Sequence, residues 1–409
     1  MLKIFKNHIA FISACKVLKE KKSKIDILFF VWLCSMLIFL TSYLLFNRKP
    51  LNVINNVFLL VFFGISVYRT LKRRLYILKP SSAILLYFGL WGCISSWLIG
   101  VFTYIPMLHS LLGLCVYLNV SFEESEVKNA VLTFVIYSFN IFAVAFLVYH
   151  IPALIVGASM RFGAFFGNQD YVAATLGLCV ILNLYLLSRK YYFSLVFILL
   201  GSALEMLTQT RMAFVIIFIC VLLFVVMSLW KHKVVLIVIL ACCVTLFFLL
   251  MQLPAFEGIS KRLINMFSAI FRGDILKDDS MGPRLTVMLR TYELSLSMPF
   301  IGFGYDGIVR YGITTTHDSF GQLAFSAGWV YSSLIHGYVF YKAITLLAKS
   351  KKYRYLACFF LVDFTVNFFL GTPFYNRYFF IYMPIVLSIS DDYTACTISP
   401  LKTTRIYIG

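Results

Sequence analysis

Met212-AFVIIFICVLLFVVMSL-Trp230, then Lys231-His232-Lys233, then Val234-VLIVILACCVTLFFLLM-Gln252: these residues decide the fold. Each apolar run has the ~20 residues that an α-helix needs to cross a hydrocarbon core about 30 Å thick. In lipid every backbone amide must find its partner inside the chain, so an uncharged run of this length reads as a helix. The three residues between the runs leave room only for a tight return. The same alternation extends in both directions. Apolar runs lie at roughly 25–46, 51–70, 81–100, 103–120, 127–149, 171–188, 191–209, 212–230, 234–252, 318–348, 354–371 and 375–390. Polar punctuation such as Asn47-Arg48-Lys49-Pro50 and Lys79-Pro80 separates them. Hydrophobic residues make up 61% of the chain and charged residues 13%. The expectation is an all-α polytopic membrane protein with about 12 transmembrane helices, a single membrane domain over 1–409.

The cations give the expected orientation. With the N-terminus inside, inner segments hold 24 of the 36 Lys and Arg, in 1–24, 69–79 and 342–354 and at Lys128, Arg189, Lys190, Lys231, Lys233, Lys402 and Arg405. Outer segments hold 12, seven of them in the single long loop 253–317, where charge has least influence on orientation. The short loops therefore predict an N-in, C-in multi-pass protein. The formal net charge of +19 is largely this topological signal and does not imply nucleic acid as a partner. The basic segment 1–24 carries Leu2, Phe5, Ile9 and Ile12 at helical spacing among lysines, the pattern of an interfacial helix on anionic lipid. A solvated basic tail is the plainer alternative. This segment shows no small-residue cleavage site ahead of the first span, so that span reads as an uncleaved anchor. The ten cysteines all fall in spans or inner segments, with no C-x-x-C, so neither a disulfide framework nor a Cys/His metal site is expected. No internal repeat is visible, which counts against transporters built from duplicated halves.

Two outer segments stand out by length. Segment 150–170 is too apolar for a solvated loop and reads as dipping into the interface. The large loop 253–317 carries Ile259, Leu263, Phe267 and Ile270, then Leu285, Met288, Tyr292 and Leu296, each set at helical spacing. Gly282-Pro283 can start the second helix, putting Arg284 in its first turn, and Pro299 ends it. Gly302-Phe-Gly304-Tyr-Asp-Gly307 then reads as a flexible turn leading to His317. The loop is expected to form short interfacial helices, a lid over the outer ends of the spans.

On this topology three isolated arginines, Arg161, Arg211 and Arg284, share the outer face with His317. A guanidinium at the Thr208-Gln-Thr-Arg211 corner can hold a diphosphate by two parallel hydrogen bonds, or it can anchor the helix end to lipid headgroups. Arg161 alone reads equally well as a surface arginine. Histidine is suited to accept a proton near neutral pH, and also to cap a helix. Asp278-Asp279 resembles a carboxylate pair but reads as a solvated turn. Glu205 and Asp363 lie inside spans, and buried ionisable groups in membranes are candidates for function; Asn367 is a plain structural partner for Asp363.

Four blocks resemble the O-antigen ligase and O-antigen/capsular polysaccharide polymerase superfamily of bacterial membrane glycosyltransferases. They are Arg161-Phe-Gly-Ala-Phe-Phe-Gly-Asn168 followed by Asp170-Tyr-Val-Ala-Ala; Leu207-Thr-Gln-Thr-Arg211, with Thr210 in a serine position; Gly282-Pro-Arg284-Leu followed by Pro299-Phe-Ile-Gly302-Phe-Gly304; and His317-Asp318 with Gly328. Asp318 stands where the family has asparagine, and Met288 where an aromatic residue is common. The resemblance implies a fold of the glycosyltransferase-C type, no cofactor and no metal, and an oligosaccharide on undecaprenyl diphosphate as donor. It implies Arg161, Arg211 and Arg284 as diphosphate ligands, His317 as catalytic base and Asp318 as its support. The implied setting is the bacterial inner (cytoplasmic) membrane with the site facing outward. Implied partners are the lipid-linked donor, an acceptor glycan, membrane lipid, and the chain-length regulator and flippase of the same pathway. A polymerase of repeat units is the leading expectation. A ligase acting on lipid A-core is the first alternative, and a flippase or transporter using Glu205 and Asp363 as a proton relay is the second.

Overall fold

The computed structural model describes residues 9–41, 48–72, 79–155, 169–208, 210–230, 281–305, 318–371, 374 and 378–398, with scattered positions between 232 and 272. Those residues form helices and no strand. In chain order the helices are α1 (Ile9–Lys21), α2 (Lys24–Thr41), α3 (Arg48–Lys72), α4 (Pro80–Leu98), α5 (Ile105–Val120), α6 (Ser125–Ile155), α7 (Gln169–Ser188), α8 (Ser194–Thr208), α9 (Arg211–Leu229), α10 (Met281–Ser297), α11 (Ser319–Ala327), α12 (Trp329–Lys349), α13 (Arg354–Leu370) and α14 (Phe379–Ile398). Segments Val53–Lys72, Pro80–Leu98 and Ser125–Pro152 are long and apolar enough to cross a membrane, and α5, α8 and the greater parts of α7 and α9 are shorter apolar helices. The chain is thus a helical membrane protein. The expected span 234–252, the first helix of the long loop, and Asp278-Asp279 lie largely or wholly outside the described residues.

The core runs through α5, α7 and α14, whose side chains are buried almost all round. Large apolar side chains such as Val53, Val57, Leu60 and Val61 of α3 face outward instead, as lipid contact requires. Where the basic segment could lie wholly on lipid, α1 instead packs along α6: Ala14 and Leu18 are buried, and Phe11 stacks on Phe134.

One end of the bundle gathers the segments richest in cations. Lys21 pairs with Glu124 and Glu126, Lys22 with Glu123, and Arg69 with Asp26. Lys128 and Lys342, both buried, reach Asp392 and Asp391 near the end of α14 at 2.7 and 2.5 Å. Lys352 donates to Ser125 at 2.6 Å. Buried cations are tolerable only when paired in this way.

The expected span 318–348 is two helices, not one. Gly328 breaks it at φ 98°, ending α11 and starting α12. The cause is tertiary. The segment 299–304 lies alongside the end of α11: Phe303 N–H donates to Phe325 O (2.6 Å), Gly304 N–H to Ser326 O (2.9 Å), and Trp329 N–H to Pro299 O (2.6 Å). A Cβ on Gly328 would meet Phe300 O at 2.4 Å, and one on Gly302 would meet Phe325 O at 2.5 Å. The glycine-rich turn expected to be flexible is therefore a clasp over 299–305. It is fastened further by Tyr305 N–H to Ser96 Oγ (3.0 Å) and Trp91 Nε1 to Ala327 O (3.0 Å), both on α4.

Candidate active site

Helix α13 fixes which helix ends meet. Phe224 and Ser228, late in α9, contact Tyr355 at the start of α13, with ring centroids 5.8 Å apart and a hydroxyl contact of 3.1 Å. The two helices are antiparallel neighbours. Stepping from Phe224 back to Arg211, and from Tyr355 on to Phe368, climbs about 20 Å along each. Arg211 therefore starts α9 at the level of Phe368, whose ring lies 5.2 Å from Phe320 of α11 and 5.1 Å from His336 of α12. The Thr-Gln-Thr-Arg corner and the beginning of α11 share one end of the bundle, opposite the paired cations.

The corner is built on a buried carboxylate. Thr210 Oγ1 donates to Glu205 Oε1 at 2.6 Å, and Thr208 Oγ1 lies 2.8 Å from the Glu205 carbonyl and 2.8 Å from Thr210 Oγ1. Glu205, Thr208 and Thr210 are all buried. The Thr208 hydroxyl is thus bonded back to the helix carbonyl and the Thr210 hydroxyl to the carboxylate, and the chain turns extended at Thr210 before α9 begins. Asp363 is similarly engaged: Asn367 Nδ2 donates to its Oδ1 at 3.0 Å, one helical turn away, the partner that the sequence offered.

At the start of α11, Asp318 is the N-cap. Its Oδ2 accepts the Gly321 N–H at 2.6 Å and the Tyr292 hydroxyl of α10 at 2.9 Å. A capping carboxylate satisfies an orphan amide and complements the positive end of the helix dipole. Burial, then the adjacent carboxylate, push the Tyr292 phenol above its ordinary range, so the hydroxyl stays protonated as a donor. Trp329 Nε1 donates to Ser295 Oγ at 2.9 Å, a second tie between α12 and α10. Helix α10 starts and stops where Gly282-Pro283 and Pro299 predict, with Arg284 exposed in its first turn, about 12 Å along the axis from Tyr292.

Of the expected site residues, Arg211, Arg284 and Asp318 are placed: Arg211 and Asp318 at one end of the bundle, Arg284 on the helix that packs on α11. The side chain of Arg211, and Arg161 and His317 entirely, lie outside the described residues. Sequence reasoning left Glu205 without a role at the corner and read Tyr292 only as an apolar position. The Glu-x-x-Thr-x-Thr spacing ahead of Arg211 was the available signal for the first.

Over residues 195–336 the chain matches the O-antigen ligase family. The match supports the O-antigen ligase and polymerase superfamily expected from the motifs, whose members are glycosyltransferase-like enzymes. The matched segment contains Glu205, Arg211, Arg284, His317 and Asp318, and Arg161 precedes it. No curated protein matches the chain.

Proposed function

We propose that this protein is a polymerase of O-antigen or capsular repeat units, transferring glycan from undecaprenyl diphosphate to a sugar hydroxyl on the outer face of the bacterial inner membrane. The observation that supports this reading is that, within the family-matched segment, the carboxylate-braced corner at Arg211 and the capped start of α11 that follows His317 lie at the same end of the bundle. The acceptor hydroxyl attacks the anomeric carbon and gives its proton to neutral His317. The bond from that carbon to the diphosphate oxygen breaks, and the leaving diphosphate takes the electron pair. Arg161, Arg211 and Arg284, rather than a metal ion, stabilise its growing charge. Asp318 supports His317 by fixing the turn that carries it.

A ligase moving finished glycan to lipid A-core is the second reading, favoured by the description of the matched family as O-antigen ligase. A deletion strain separates them. Surface glycan cut to one repeat unit supports the polymerase; full-length glycan left on the lipid carrier supports the ligase. An unchanged surface glycan removes both.

A further inference from the structure

His336 is buried in α12 among the rings of Phe320, Phe364, Phe368 and Phe374, with centroids 5.1 to 5.6 Å away. Its Nδ1 lies 2.8 Å from the carbonyl oxygen of Ser332, an acceptor only, so Nδ1 carries a proton and donates it. In the neutral imidazole Nε2 then holds a lone pair, and the Ser319 hydroxyl sits 2.8 Å away to donate to it. Ser319 is the first residue of α11 and is 2% exposed. The pair has the layout of a base and an activated hydroxyl, but a serine so enclosed is out of reach of a glycosyl donor. Its position explains it better. Asp318 is tied outward to Tyr292 of α10, and the next residue, Ser319, is tied inward to His336 of α12. Two successive residues held to two different helices leave the backbone at residue 318 little freedom to rotate, and His317 is attached there.

We propose that His336 is a positioning residue for glycan transfer, acting through the Ser319 hydroxyl to hold the first turn of α11 and thereby His317. This rests on the transferase reading above. A hydroxyl left without its acceptor in such surroundings costs on the order of tenfold in an equilibrium or a rate. If the tether serves positioning, that loss falls on turnover rather than on donor binding.

The test uses the full-length protein reconstituted in lipid with a lipid-linked oligosaccharide donor. Ser319→Ala and His336→Phe are each expected to lower turnover about tenfold, with KM for the donor within about twofold. The double variant should be no slower than the slower single one, because both remove the same bond. His336→Gln, whose amide oxygen can take the place of Nε2, should recover most of the turnover. Multiplicative losses in the double variant, or normal turnover in Ser319→Ala, overturn the proposal. A second readout is independent of transfer. In a His317→Cys background, the maleimide labelling rate in permeabilised membranes should shift by the same factor, about threefold or more, in Ser319→Ala and in the double variant. If the wild-type protein transfers no glycan, the transferase reading has failed, and an unchanged labelling rate then overturns the tether on its own. Should His336→Phe fail to accumulate, Ser319→Ala alone carries both readouts.

Discussion

At Arg211 the shape of the side chain, rather than its charge, separates two roles. A diphosphate ligand needs the planar fork of a guanidinium, whereas a headgroup anchor needs only a cation on a flexible stem. Arg211→Lys is therefore expected to shorten the surface glycan nearly as severely as Arg211→Ala, with normal amounts of protein in the membrane. Glycan of normal length in Arg211→Lys would make the residue an anchor. Tyr292 offers a test of a different kind. Tyr292→Phe removes one donor from Asp318 and leaves the Gly321 N–H in place, a loss of about 1 kcal/mol in unfolding free energy. A phenol whose folded-state pKa is raised contributes its full stability below the unfolded value and loses it only as pH climbs towards the folded one. The difference between wild type and Tyr292→Phe should hence be constant from about pH 6 to 9, below the ordinary phenol range. A difference that fades across that interval would mean the hydroxyl is not the donor. The partner of Glu205 lies five residues on, within reach of its local spacing, but Tyr292 could not be assigned its partner from sequence. Periodicity gives the face on which a residue lies, whereas a hydrogen bond across 26 positions depends on how two helices dock.

The helices themselves were legible to the extent that hydropathy decides them. The start of α10 at Gly282-Pro283 and its stop before Pro299 followed from backbone chemistry that acts within a few residues. The split at Gly328 did not, because a glycine within an apolar run is tolerated in a helix as readily as it ends one. What forces the break is the clasp, whose strand-like pairing with 325–326 displaces the helical continuation. Gly328→Ala should accordingly be among the most damaging substitutions of a single methyl group in this chain. The positive φ costs about 1–3 kcal/mol on its own, and the added carbon would stand 2.4 Å from a backbone oxygen that cannot swing aside. The expected result is a lowered unfolding temperature and reduced accumulation in the membrane. Gly64→Ala is the control, since nothing lies within 4 Å of a Cβ there. Equal behaviour of the two variants would mean that the break at 328 is not enforced by the clasp.

On the scale of the whole molecule, the two ends of the bundle differ in what they do with charge. At one end lysines and arginines are consumed in pairs with Glu123, Asp26, Asp391 and Asp392, and Lys79 sits 4.0 Å over the Phe122 ring. Such an end is stitched shut. At the other, Arg211 starts α9 beside the buried hydroxyls of the corner, level with the capped turn of α11. The described ion pairs thus gather at the stitched end. The cation count of the sequence leads to the expectation that the stitched end faces the cytoplasm. In a cysteine-free background, single cysteines at the exposed positions Leu296 and Phe300 should react with a membrane-impermeant maleimide in intact spheroplasts. Cysteines at Lys190 and Lys351 should react only after permeabilisation. The contrast is demanding because all four positions are exposed on the protein, so only the bilayer can separate their rates. Labelling of Lys351→Cys in intact cells together with protection of Phe300→Cys would invert the protein. It would put the arginine end in the cytoplasm, where a glycan awaiting transfer outside the membrane could not reach it.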